Sequence, residues 1–269
     1  MRKVMIMLAV SVLVAFAALP ASAEEGAQVT VIHGIPGLTV DVFVNGSLTL
    51  EGFEPGEVAG PLTLPAGDYE LAIAPTGAGI EGAVLTGTAS VTDGLNASIA
   101  AYLSEMGEPG IAIFVNDTSA IAAGESRLVA RHIAAAPTVD ILLADGTPLF
   151  EGVTNFANGE PNQGQVDVPA GAYDVRITPA GAGVDAAVFS ADGVELPEGT
   201  ARIVYATGSL AEGSFGLVIQ DIAGLGETPG EVPTGDLSSS GLPLWFFLAG
   251  GFALLALAAT PVVASRRSR

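Results

Sequence analysis

The sequence predicts an all-β body of two tandem β-sandwiches, at residues 26–122 and 125–223, between an N-terminal signal peptide helix and a C-terminal transmembrane helix. Three observations carry this. One stretch occurs twice: residues 64–79 and 168–183 match at Pro65/Pro169, Gly67/Gly171, Tyr69/Tyr173, Ile73/Ile177, Pro75/Pro179 and Gly77/Gly181. Between Gln28 and Ala223 the apolar residues alternate with period two, broken by Gly and Pro turns, as half-buried strands require. Each end of the chain carries a long apolar run without charge.

Residues 1–23 read as a secretory signal peptide. Arg2 and Lys3 form the basic start, Val4 to Leu19 the apolar stretch, and Ala21-Ser22-Ala23 the small-residue cleavage site, leaving Glu24 as the mature N-terminus. An uncleaved anchor is the competing reading.

In the first repeat, Val40-Asp41-Val42-Phe43-Val44-Asn45 alternates before Gly46, Tyr69 to Ala74 runs between Gly67 and Pro75, and Ile99 to Leu103 and Ile111 to Val115 follow. Their second-copy counterparts are Val139 to Leu143, Tyr173 to Thr178, Ile203 to Ala206 and Phe215 to Ile219. His33 aligns with His132, Asp41 with Asp140, Glu51-Gly52 with Glu151-Gly152, and Asn116-Asp117 with Gln220-Asp221. The offset drifts from 99 to 104, so the second copy has extra loop residues around Asp145 and at Asn158–Gln163. The join at 122–125 is too short for freely swinging domains.

Residues 224–241 are a Gly/Ser/Pro-rich stalk with little to bury. Leu242 to Ala264 is charge-free and carries Trp245, Phe246, Phe247 and Phe252. About 20 such residues cross a bilayer's hydrocarbon layer. Arg266, Arg267 and Arg269 in the tail at 265–269 act as a stop-transfer anchor, which places the N-terminal body outside the cell and the C-terminus in the cytoplasm. A GPI signal lacks such a tail. A sortase signal has one, but Val232-Pro233-Thr234-Gly235 lacks the residue between Pro and Thr of that motif.

Composition excludes several functions. With 29 acidic against 9 basic residues the net charge is −20, and residues 24–126 contain no Lys or Arg. Such a surface repels nucleic acid and anionic lipid. Cys is absent, so thiol chemistry, thiolate metal sites and disulfides are excluded.

The ordered pattern of His, then Asp eight residues on in an alternating strand, then a turn Gly, then [Leu/Val]-Pro-Ala-Gly-x-Tyr-x-[Leu/Val]-x-Ile-x-Pro-x-Gly resembles the bacterial secreted family called domain of unknown function 4397. The resemblance covers nearly all of 28–223 as two tandem copies. It implies extracellular immunoglobulin-like β-sandwiches anchored at the cell envelope, and it brings no catalytic residues.

His33 and His132 are the only histidines. A His–Asp pair, His33 with Asp41 or His132 with Asp140, could orient a base or hold a metal. The competing reading is a His and an Asp that satisfy backbone groups where the first strand turns. The carboxylates Glu54, Glu57, Asp68, Glu70 and Glu81 suit calcium in type, but no Asp-x-Asp-x-Asp ladder is present. Pro75–Gly79 and Pro179–Gly183 are turns rather than phosphate loops, since neither a helix nor a Lys follows. Tyr69 and Tyr173 sit where a tyrosine corner would bond nearby backbone. Asn45, Asn96 and Asn116 head glycosylation sequons.

No catalytic residue, cofactor-binding residue or metal ligand is assigned. The expected protein is a non-catalytic, membrane-anchored surface protein for adhesion, binding or envelope structure, with a surface protein or a glycan as partner. The alternative is an envelope enzyme or calcium-dependent carbohydrate binder using the acidic loops and His33/His132. A shed ectodomain is a third reading.

Overall fold

The computed structural model describes residues 26–226. The expected signal peptide, transmembrane helix and basic tail, and all but the first residues of the stalk, lie outside the described residues. Among the described residues no helix is long and apolar enough to cross a membrane.

Among the described residues, sixteen strands form four sheets. Repeat 1 holds β1 (Ala27–His33), β2 (Val40–Val44), β3 (Ser47–Phe53), β4 (Val58–Leu64), β5 (Gly67–Pro75), β6 (Leu85–Val91), β7 (Asn96–Leu103) and β8 (Pro109–Val115). Repeat 2 holds β9 (Glu125–His132), β10 (Val139–Leu143), β11 (Pro148–Val153), β12 (Gln163–Pro169), β13 (Gly171–Pro179), β14 (Phe189–Leu196), β15 (Ala201–Thr207) and β16 (Gly216–Ile222). Single 3-10 turns follow β5, β11 and β13.

The sheet orders are β4-β1-β7-β8 and β3-β2-β5-β6 in repeat 1, and β12-β9-β15-β16 and β11-β10-β13-β14 in repeat 2. All pairs are antiparallel except β1 with β7 and β9 with β15. Within repeat 1 the sheets meet through Ala27, Val29 and Ile99 on one side and Leu71, Ala89 and Val91 on the other. In repeat 2, Ala130 meets Val139, Ile141, Val153 and Ile177. Each repeat is therefore a β-sandwich.

The strand order corrects the immunoglobulin-like expectation. In that fold the first and second strands share a sheet. Here β1 and β2 lie in opposite sheets, and β1 sits inside its sheet between β4 and β7. The chain crosses over at residues 34–39, where Gly34, Pro36 and Gly37 turn it and a His33 contact described below holds the turn.

The sandwiches are not beads on a string. The sheet β4-β1-β7-β8 lays its outer face on that of β12-β9-β15-β16. Ile32, Ala100, Ala112 and Phe114 of repeat 1 form one buried cluster with Val129, Ile133, Ile203, Tyr205 and Val218 of repeat 2. The four sheets thus stack in layers, and the middle two are covered on both faces. An antiparallel sheet ordinarily leaves one face wet. That coverage explains the nearly continuous burial along β7 and β9. Small residues at the seam, Ser98 and Ala100 on β7 and Ala112 on β8, let the backbones approach. The seam contacts are reciprocal: Leu103 N donates to Ile133 O at 3.3 Å, and Gly208 N donates to Gly34 O at 3.2 Å. The sixteen strands belong to one compact unit.

The connector between repeats is held as firmly. Ile121 is fully buried and its N–H donates to Leu225 O at 2.7 Å, while Leu225 N donates to Gly199 O at 2.8 Å. The segment after β16 therefore returns to the seam before the chain continues.

Candidate functional site

The two histidines and their aspartates do not pair with each other. His33 Nε2 lies 2.8 Å from Leu38 O and its Nδ1 accepts from Ile35 N at 3.4 Å. His132 repeats this with Pro137 O at 2.9 Å and Ala134 N at 3.4 Å. Both rings are buried, and one tautomer, protonated at Nε2, satisfies both contacts. Burial lowers both pKa values below the usual histidine range, against the opposing pull of the carbonyl bonds. The imidazoles are neutral braces on the β1–β2 and β9–β10 crossings.

Asp41 accepts from Gly52 N and Gly77 N, each at 2.9 Å. Asp140 accepts from Gly152 N and Gly181 N, each at 2.7 Å. Three duplicated sequence features, an Asp and two Gly, thus form one device. The bulge Gly of β3 or β11 and the turn Gly after β5 or β13 all have positive φ, and one carboxylate gathers their amides. The Gly52 amide, then the Gly77 amide, lower the Asp41 pKa. Tyr69 donates to Pro65 O at 2.8 Å and Tyr173 to Pro169 O at 2.6 Å, so both act as corner tyrosines.

The acidic residues of repeat 1 do not converge. Glu57 caps its own turn through Glu54 N, and Asp68 accepts from the Ser90 hydroxyl across β5–β6. Among the described residues no three His, Cys, Asp or Glu side chains gather where a metal ion could be held. Of the sequons, Asn116 is buried in the seam, where its amide donates to Asn96 Oδ1 at 2.7 Å and Ser98 Oγ at 3.0 Å.

Sequence reasoning missed the seam's polar network. Ser98 Oγ and Tyr205 OH both donate to Gln220 Oε1, at 2.8 and 2.7 Å. Arg131 donates to Tyr205 OH at 2.8 Å and to Gln163 Oε1 at 3.0 Å, and its guanidinium carbon lies 4.3 Å from the Phe114 ring centre. Arg131 is 3% exposed and forms no ion pair among the described residues. Burial lowers its pKa, and burial raises that of Tyr205. Arg127 is paired: it grips Asp167 through Nε at 2.8 Å and NH2 at 2.9 Å, and its NH1 lies 3.2 Å from Asp117 of the connector. The Ser119 hydroxyl and amide, the Gln165 amide and the Arg127 charge hold the Asp117 carboxyl down to about 2. Asn155 completes the seam from the β11–β12 loop of repeat 2, which carries the extra residues 158–163. Its Nδ2 donates to Leu103 O at 2.9 Å and Ala134 O at 2.6 Å, and the neighbouring Phe156 packs on Tyr102 and Phe114. The insertion visible in the alignment was the one sequence signal for this contact.

The outer sheets differ more. On repeat 1, a depression of about 410 Å³ opens over the face of β5 and β6. Its floor and walls are Glu70, Ala72, Thr86 and Thr88, flanked by Ile80 and Ala83. On repeat 2 the Ala72 position is Arg176, whose NH1 donates to Asp192 Oδ1 at 2.7 Å. Repeat 2 also has an apolar cavity between its own sheets of about 260 Å³, lined by Leu128, Val175, Phe189, Ala191, Val204 and Ile219 among others.

No curated protein matches the chain. A solved structure from Bacteroides fragilis NCTC 9343, provisionally described as a cell adhesion protein, aligns over 72% of this chain and 86% of its own at 14% identity, with a TM-score of 0.21. A family model described as Domain of unknown function (DUF4397) matches residues 27–142, so the chain is similar to that family across all eight strands of repeat 1 and into β10.

Proposed function

We propose that this is a membrane-anchored cell-surface protein whose ectodomain is a non-catalytic, rigid module for binding or envelope structure. One observation carries the reading. The titratable residues that the sequence marks out twice, His33/His132 and Asp41/Asp140, spend their polar atoms on backbone groups of their own repeat. The seam supports rigidity, because the sandwiches share one buried cluster. The proposal includes residues 125–223 as a second copy of the same family, supported by an identical order of eight strands and by the repeated His, Asp and Tyr contacts. It also includes the signal peptide and the C-terminal helix read from the sequence, with the ectodomain outside the cell.

Two measurements test this. Protease treatment of intact cells should remove the ectodomain and leave a C-terminal fragment that only detergent extracts. Recovery of the whole protein from the cytosol would refute the anchored reading. For the full chain in detergent, thermal stability should respond equally to calcium and magnesium at matched ionic strength, since only screening is at work. A calcium-specific rise would overturn it in favour of a cation-dependent binder.

A further inference from the structure

We propose that the open depression on repeat 1 receives an arginine side chain of a basic protein partner. The inference deepens the binding reading above and rests on it. The argument comes from comparing the two copies. Ala72 on β5 faces Thr86 on β6, and Glu70 faces Thr88. In repeat 2 the corresponding pair is Arg176 facing Ser190. There the chain supplies its own guanidinium. Arg176 lies across the outer face of β13 and β14, bonding Asp192 at 2.7 Å and Val175 O at 3.0 Å. In repeat 1 the same position ends at a methyl group, and the space above it is the depression.

The rim fits an incoming guanidinium. Glu70 is exposed, and its carboxylate enters no hydrogen bond or ion pair among the described residues. Thr86 and Thr88 bring hydroxyl acceptors on the same face, and Ile80 and Ala83 offer an apolar wall for the aliphatic stem. Residues 24–126 contain no Lys or Arg, so no basic side chain of this repeat can compete. A planar guanidinium meets a carboxylate and two flanking acceptors better than an ammonium does. Ion pairs this exposed are individually weak, so a partner would gain strength from several contacts or from several copies.

The test uses the full chain in detergent micelles at physiological salt, with Gly-Arg-Gly and Gly-Lys-Gly peptides followed by ligand-observed NMR. The double variant Ala72→Arg with Thr88→Asp transplants the repeat 2 pair and leaves the net charge unchanged. Gly-Arg-Gly should bind more tightly than Gly-Lys-Gly, and the double variant should weaken it by about tenfold. Glu70→Gln should weaken it by about threefold. Glu212→Gln, an equal change of charge on repeat 2, should leave it unaltered. The proposal is overturned if the double variant binds as the parent does, or if Glu212→Gln matches Glu70→Gln, because general acidity would then account for binding. Either result leaves the non-catalytic reading standing, since that rests on the backbone contacts of His33, His132, Asp41 and Asp140.

Discussion

Replacing Asn155 by Ala should loosen both repeats at once. The side chain is 0% exposed. Its amide serves Leu103 O of repeat 1 and Ala134 O of repeat 2, and its Oδ1 accepts from Ala157 N at 2.8 Å. Alanine strands Leu103 O in a site closed to solvent, whereas Ala134 O keeps the Ala136 amide and the amide of exposed Ala157 can turn to water. A stranded buried acceptor together with the lost bond to Ala134 O should cost about 2 kcal/mol. For a unit of this size each kcal/mol lowers Tm by about 2–4 °C, so the drop should be about 4–8 °C. Asn158→Ala is the control: it sits in the same loop but is exposed, with one bond to Glu105. It should cost less than about 0.5 kcal/mol. Differential scanning calorimetry should show one transition for the parent and a single lowered transition for Asn155→Ala. Equal small shifts for both variants would refute the claim that this residue joins the repeats.

Three further outcomes follow from the same contacts. The two histidines have folded pKa values below 6.5, so the unfolded chain takes up their protons first as pH falls; urea midpoints should hold steady above that pH and decline below it. A second decline should begin below 3.8 as Asp117, held down to about 2 when folded, loses its contribution, and a profile flat from pH 7 to 5 would contradict the buried neutral imidazoles. Arg131→Met should stay within about 1 kcal/mol of the parent, since it removes a buried charge with no anion, whereas Arg127→Met strands Asp117 and Asp167 and should cost about 2 kcal/mol in chemical denaturation. Ala191→Leu should extend into the cavity of repeat 2 and raise stability by about 1–2 kcal/mol, a gain that thermal melting would miss if the cavity were already filled.

Much of the fold was legible because it is local. Tyr69 to Ala74 and Tyr173 to Thr178 read as strands and lie within β5 and β13. The corner role of the tyrosines followed from their distance to a turn Gly. The layering has a sequence signal of a different kind. Leu128-Val129-Ala130 and Ala97-Ser98-Ile99-Ala100-Ala101 are buried without a break, as strands covered on both faces must be. Alternation elsewhere predicts one wet face per sheet. The immunoglobulin order failed for a related reason: periodicity says which face is apolar but not which neighbour a strand takes. The seam residues were beyond reach, since Ser98 finds Gln220 and Asn155 finds Leu103 only after both repeats have folded. Residues 24–265 hold four basic side chains, Arg127, Arg131, Arg176 and Arg202, all in repeat 2, and the seam accounts for half of them. Arg127 and Arg131 are both committed there.

The return of the chain to the seam has a mechanical consequence. Tension applied beyond residue 226 does not reach a free corner of repeat 2. It enters beside Ile121 and Gly199, where one short bridge joins the end of the second sandwich to the connector that begins it. Load is therefore shared by both copies from the first increment of stretch, and the first bonds to part, Ile121 to Leu225 and Leu225 to Gly199, can re-form without either sandwich having opened.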